Sequence, residues 1–153
     1  MESGKDTIDI IQTEIDVLQI QVAFARKRDE KIGALDRSAA RLLGELYEKG
    51  PLGISALADI FQLDISTVSR QIAALEAKGY AIRIPDPKDG RVSLLEITPS
   101  GKKQFIEVRQ ARRNLYNELL VDWSEEERKK FGEYLQKLNR AIIERRLRLK
   151  AET

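Results

Sequence analysis

Residues 54–80, ISALADIFQLDISTVSRQIAALEAKGY, decide the fold. Apolar residues at helical spacing predict a short first helix here, with Leu57, Ile60 and Phe61 facing inward. Ser55 precedes these residues and is the expected N-cap of that helix. A second helix is predicted directly after it, so this stretch holds two helices in close succession.

The second helix is predicted over residues 65–78, after a tight turn at residues 62–64. Asp64 is its expected N-cap, and Gly79 is expected to end it because glycine tolerates a left-handed C-cap. The apolar positions at i, i+4 and i+7 are Val68, Ile72 and Leu75. One face of this helix is therefore expected to pack against a core while the other stays open.

A β-hairpin is predicted next, because residues 80–84 and 92–97 are rich in β-branched and aromatic side chains. Between them, residues 85–90 read PDPKDG, which is typical of a turn. Two helices joined by a tight turn and followed by a hairpin make a winged helix-turn-helix. The predicted fold class is mainly α with a small β-hairpin wing, flanked by long N- and C-terminal helices.

The open face of the second helix carries side chains suited to the major groove of DNA, which is wide enough for a helix. These candidate DNA-binding residues are Ser66, Thr67, Ser69, Arg70 and Gln71. Hydroxyl groups bind phosphates or base edges, arginine can contact guanine through two bonds, and glutamine can pair with adenine. In the wing loop, Lys88 and Arg91 suit a narrow minor groove, and Asp89 is expected to brace Arg91.

Each of these residues taken singly could be an ordinary surface residue, and the loop could be a plain hairpin turn. Their joint occurrence on adjacent elements favours DNA binding. The segment 52–102 holds six Lys or Arg and six Asp or Glu, so recognition is expected to depend on geometry rather than on net charge.

The flanking helices are expected to form a homodimer. Apolar stripes recur on the first and last helices at three- and four-residue spacing, although the module between them already has a core. The stripe residues expected at the dimer interface are Ile8, Ile11, Ile15, Leu135, Leu138 and Ile142. The alternative is a helical cap on the chain's own domain. The predicted regions are 1–35 for dimerisation, 36–102 for DNA binding, and 103–153 for the C-terminal helices completing the dimerisation region.

Composition excludes several classes of chemistry. The 153 residues contain no Cys and no His, which excludes disulfides, thiol redox switches, Cys/His zinc sites and a His general base. We expect neither a cofactor nor a metal. No apolar run approaches the roughly 18 residues of a membrane helix, and no secretory signal pattern opens the chain, so a cytoplasmic location without membrane association is expected.

The chain resembles MarR-family transcription regulators over about residues 35–102. Four stretches carry the resemblance: residues 54–60, residues 66–80, the wing sequence DPKDGR at residues 86–91, and LEITPSGK at residues 95–102. The resemblance implies a homodimer with two winged helices that bind a pseudo-palindromic operator, with a repressor as the expected regulator. Many relatives release DNA when a small, often aromatic, anion binds between the dimer region and the DNA-binding region.

The resemblance also places candidate ligand residues on the helices that line such a pocket. Arginines could pair with an anion and aromatic rings could stack on a ligand; the candidates are Arg26, Arg41, Tyr47, Phe105 and Arg109. Two rival functions stay open. A winged helix can serve protein–protein contact without DNA, and an enzyme without His or Cys would need a carboxylate pair or an activated lysine.

Overall fold

The computed structural model describes residue 4 and residues 6–153, without the side chains of residues 26–28. The elements in chain order are α1 (Thr7–Arg28), α2 (Glu30–Gly33), α3 (Arg37–Lys49), β1 (Leu52–Gly53), α4 (Ile54–Phe61), α5 (Ile65–Ala77), β2 (Ala81–Pro85), β3 (Ser93–Ile97), α6 (Pro99–Leu119) and α7 (Glu125–Ala151). The predicted class, mainly helical with a small β wing, is confirmed.

Local sequence signals set most of the helix ends. The Asp36 carboxylate accepts a bond of 2.7 Å from the Ala39 N–H and starts α3, and Gly50, with a φ of 81°, ends it. The Thr98 hydroxyl accepts from the Gly101 N–H at 3.0 Å, with Pro99 at the first helical position of α6. A capping box between Ser124 and Glu127 starts α7.

One expected cap is wrong, and a second is confirmed in position but not in its side-chain bond. Helix α4 begins two residues earlier than expected, so Gly53 is its N-cap and Ser55 lies inside the first turn. Asp64 does occupy the N-cap position of α5, but its side chain makes no bond to an amide of that helix. Its carboxylate instead accepts a hydrogen bond from Lys150, which is 86 residues away in the sequence.

The wing is a sheet with the strand order β1–β3–β2, all antiparallel. The hairpin pairs Ala81 with Ile97 and Pro85 with Ser93. Strand β1, which sequence patterning did not predict, pairs Leu52 with Leu95 along the other edge of β3. Because β1 leads directly into α4, this pairing fixes the wing against the helix-turn-helix.

The core lies where α3, α4, α5 and the wing meet the first half of α6. Its buried side chains are Leu35, Ala40, Leu42, Leu43, Leu46, Leu57, Ala58, Val68, Ile72, Leu75, Ala81, Leu95, Ile97, Phe105 and Val108. Tyr47 of α3 is 39% exposed, and Ile60 and Phe61 of α4, which were expected to face inward, are only half-buried. The core therefore holds α5 by its aliphatic side, as expected.

Candidate nucleic-acid interface

Helix α5 has two chemically different sides. Val68, Ile72 and Leu75 are at most 3% exposed, so burial fixes the rotation of the helix. Ser66 and Arg70 are exposed on the opposite side. This arrangement leaves a hydroxyl group and a guanidinium open to solvent on one side of the helix.

The other candidates on α5 lie at the margins of that exposed side. Thr67, Ser69 and Gln71 are half-buried. Thr67, Arg70 and Gln71 also line a cavity of about 370 Å³ between α5 and the start of α3, together with Asp36. The structure thus brings three of the candidates together along one groove.

The turn before α5 is held by the far end of the chain. Gln62 adopts a left-handed conformation with a φ of 54°, and its carbonyl accepts a hydrogen bond from the Arg146 guanidinium. The Lys150 ammonium donates to the Asp64 carboxylate. This bond and the positive charge of Lys150 lower the pKa of Asp64 below its ordinary value.

The wing tip is organised by two aspartates. The Asp86 carboxylate accepts from the Lys88 N–H at 2.9 Å, and the Asp89 carboxylate accepts from the Arg91 N–H at 3.1 Å. The same Asp89 oxygen also accepts from Arg91 Nε at 3.2 Å, and these bonds from Arg91 lower the pKa of Asp89. The bracing geometry expected of Asp89 is therefore present, and the Arg91 side chain is still 92% exposed.

Sequence reasoning missed one basic residue that links the wing to α5. Arg83 on β2 donates through Nε to the Glu76 carboxylate on α5 at 3.0 Å. The two residues are seven apart, on different elements, so no helical periodicity relates them. The bond ties the hairpin to the far end of the exposed helix.

A separate cavity of about 530 Å³ lies between α3 and α6. Three of the expected ligand residues line it: Arg41, Phe105 and Arg109. Tyr47 does not line the cavity, but its ring centroid lies 5.2 Å from that of Phe105. The side chain of Arg26 lies outside the described residues.

This cavity also contains residues that sequence reasoning did not single out, including Arg112, Arg113 and Tyr116 on α6. Spacing could have found two of them, because Arg112 and Tyr116 follow Phe105 by seven and eleven residues and so share its helix face. The cavity is not purely cationic. Glu48 also lines it and lies 3.8 Å from Arg109, as an ion pair.

The flanking helices present broad apolar surface. Ile8, Ile11 and Ile142 are 50–63% exposed, and Leu135 and Leu138 are each 38% exposed. Ile15 is half-buried. Apolar side chains in this number along two helices are typical of a face that another chain covers.

Across residue 4 and residues 6–153, no group of three or more His, Cys, Asp or Glu could hold a metal ion. Over the same ranges, no helix combines the length and the apolarity needed to cross a bilayer.

Known proteins resemble this chain in sequence and in structure. The MarR family model matches residues 35–93, which run from just before α3 to the start of β3. YxaD of Bacillus subtilis (strain 168), described as an uncharacterized HTH-type transcriptional regulator, is 41% identical over 141 residues, which are 92% of this chain and 99% of YxaD. The chain belongs to the MarR family.

Solved structures extend the likeness of this MarR-family protein to its flanking helices. The transcriptional regulator BldR from Sulfolobus solfataricus has a TM-score of 0.65 and 27% identity, over 93% of this chain and 98% of BldR. PcaV from Streptomyces coelicolor, in complex with its natural ligand, has a TM-score of 0.73 over 92% of this chain and 99% of PcaV. At 20% identity, PcaV shows the fold alone. MarR-family proteins are DNA-binding regulators of transcription.

Proposed function

We propose that this MarR-family protein is a homodimeric, sequence-specific repressor that occupies a pseudo-palindromic operator. Residues 36–102 bind DNA, while residues 1–35 and 103–153 form the dimer. The protein blocks a promoter by occupying two half-sites one helical turn apart, about 34–36 Å. Such a protein acts where the DNA is, and the predicted location is the cytoplasm.

The observation that carries the proposal is the two-sided character of α5. Its aliphatic side is fixed in the core, so Ser66 and Arg70 cannot turn inward without breaking that packing. Arg91 on the braced wing loop is the second contact, suited to a narrow minor groove. Because residues 52–102 carry equal numbers of basic and acidic side chains, contacts to bases rather than overall electrostatic attraction are expected to select the DNA sequence.

The dimer is supported by the exposed stripes of α1 and α7. A two-fold partner would cover Ile8 and Ile11 on one helix and Leu135 and Leu138 on the other. A dimer also places two copies of α5 on one duplex, which is why pseudo-palindromic sites suit such proteins.

The test begins with selection of bound sites from random duplex DNA, followed by affinity measurements on the selected operator. Arg70→Ala should weaken binding by about 1–3 kcal/mol and relax base preference at one position of each half-site. Arg91→Ala should weaken binding and leave the dimer intact.

Lys129→Ala is the matched control, since it removes a charge from the exposed side of α7, away from α5 and the wing. Unchanged affinity of both arginine variants would remove the assignment of these DNA contacts. Failure to select any sequence would favour the rival function, a winged helix used for protein–protein contact.

A small aromatic anion is the proposed effector, bound in the cavity between α3 and α6. Arg41 and Arg109 offer positive charge and Phe105 offers an aromatic face there. The complex of PcaV with its natural ligand shows that a protein of this fold can hold a ligand. Calorimetric titration with benzoate and hydroxybenzoates tests the proposal, with Arg109→Ala as the variant expected to weaken binding. The proposal would be contradicted if none of these acids gave a heat of binding with a protein preparation that binds DNA.

A further inference from the structure

The last two turns of α7 meet the helix-turn-helix of the same chain at one small joint. Arg146 donates to the carbonyl of Gln62, and Lys150 donates to the carboxylate of Asp64. Arg146 and Lys150 are four residues apart and therefore share one face of α7. Their acceptors lie at the two ends of the turn that leads into α5.

This joint is polar and open. A cavity of about 380 Å³ lies within it, lined by Thr67 of α5 as well as by both basic residues. Within the described part of the chain, α7 buries none of its side chains. Leu63 and Leu147 also line this cavity but neither is fully buried, so the two polar bonds are the specific contacts that place α7 here.

The Lys150 contact also changes the electrostatics of α5. Asp64 precedes the helix that reads DNA, where a free carboxylate would repel phosphate. An ammonium at that carboxylate offsets its charge. Formation of the pair and binding of DNA therefore favour each other, because linkage between two such equilibria is reciprocal.

On the basis of the proposed DNA-binding function, we propose that Arg146 and Lys150 are positioning residues, which tie α7 to the turn before α5 and so hold the helix-turn-helix in place relative to α7. They act through Gln62 and Asp64 rather than by touching DNA. The dimerisation helices and the DNA-reading helix of one chain are thereby connected through two polar bonds, separately from the buried core.

The first test uses the full-length protein without DNA. Hydrogen–deuterium exchange of the amides of residues 62–66 should be faster in the double variant Arg146→Ala, Lys150→Ala than in the wild type. Circular dichroism confirms that both proteins are folded. Unchanged exchange at this turn would overturn the proposal.

The second test is a double-mutant cycle on affinity for an operator selected from random DNA. Lys150→Ala should weaken binding roughly three- to five-fold at low salt, which is the range an exposed ion pair can supply. In the Asp64→Asn background the same substitution should have no effect. Lys150→Arg should retain affinity, since arginine can also donate to the Asp64 carboxylate.

Other outcomes identify different causes. If Lys150→Ala lowers the affinity for DNA equally in the wild-type and Asp64→Asn backgrounds, Lys150 contacts phosphate itself. If it lowers the affinity in neither background, the contact between Lys150 and Asp64 does not contribute to DNA binding. Either result overturns the proposal. Arg148→Ala is the matched control, because it removes the same charge from the same end of α7 about 200° further round the helix. If Arg148→Ala lowers the affinity for DNA as much as Lys150→Ala does, the effect is a general attraction between the basic end of α7 and DNA, and the proposal is overturned.

Discussion

At the scale of single residues, one hydroxyl group connects three parts of the wing. Thr98 Oγ1 donates to the Gly79 carbonyl at 2.7 Å and accepts from the Gly101 N–H at 3.0 Å. The Thr98 N–H donates to the Tyr80 carbonyl at 3.0 Å. The end of α5, the start of β2 and the start of α6 are therefore joined at one residue, and the chain passes very close to itself there.

That close approach predicts a strong effect of Gly101→Ala. A Cβ at this position would lie 2.1 Å from the Tyr80 carbonyl oxygen, which is backbone and cannot rotate away. We expect a loss of about 1–3 kcal/mol or more in the free energy of unfolding, as for other overpacked sites. Urea denaturation measures it.

The control for this substitution is Ser100→Ala, on the exposed side of the same turn, which should stay within about 0.5 kcal/mol of the wild type. A Gly101→Ala protein as stable as Ser100→Ala would contradict the geometry of this junction.

At the scale of the elements, the reliability of sequence reasoning depended on how far apart the interacting residues are. The Ser124–Glu127 capping box is a local motif, a serine followed three residues later by a glutamate, so the sequence alone is enough to predict it. Strand β1 has two residues, too few for any alternation to show, and α2 has four. The pairing of Asp64 with Lys150 spans 86 residues, so no local pattern could reveal it.

The candidate site followed the same rule. Core-facing spacing identified the open side of α5 because one helix carries the whole pattern. The cavity between α3 and α6 was found only in part, since its shape depends on how two helices separated in sequence approach each other. Arg83 and Glu76 were missed for this reason too.

The capping box of α7 predicts a pH dependence of stability. The Ser124 N–H donates to the Glu127 carboxylate at 3.0 Å, and this bond lowers the pKa of Glu127 in the folded state. A depressed folded pKa means that the stabilisation is complete above the ordinary glutamate pKa of about 4.3 and is lost as the pH falls through the lower folded value.

Melting temperatures of the wild type and Glu127→Gln between about pH 7 and pH 3 test this expectation. The wild type should be the more stable protein at neutral pH, and the difference should shrink on acidification. Glu133→Gln removes the same charge from α7 and leaves the cap intact, so it is the control. A difference that grows as the pH falls would contradict the prediction.

At the scale of the whole molecule, the proposed dimer depends on helices that contribute little to the core of their own chain. Leu138→Asp places a charge within the exposed stripe of α7, so we expect dissociation, because burying an unpaired carboxylate against a partner is costly. Sedimentation velocity at matched concentration measures the mass. Arg140→Asp, on the opposite side of α7, is the control and should remain dimeric. If the Leu138→Asp protein remained a dimer, the apolar stripe of α7 would not be the dimer interface.

The order of strands in the wing has a consequence for solubility. Strand β3 lies between β1 and β2, which leaves the outer edge of β2 free to pair with a strand of another molecule. Pro85 ends β2 without an N–H to donate, and Arg83 places a cation along the same strand. Both features discourage edge-to-edge aggregation, so the wing can extend from the molecule without recruiting further chains into fibrils.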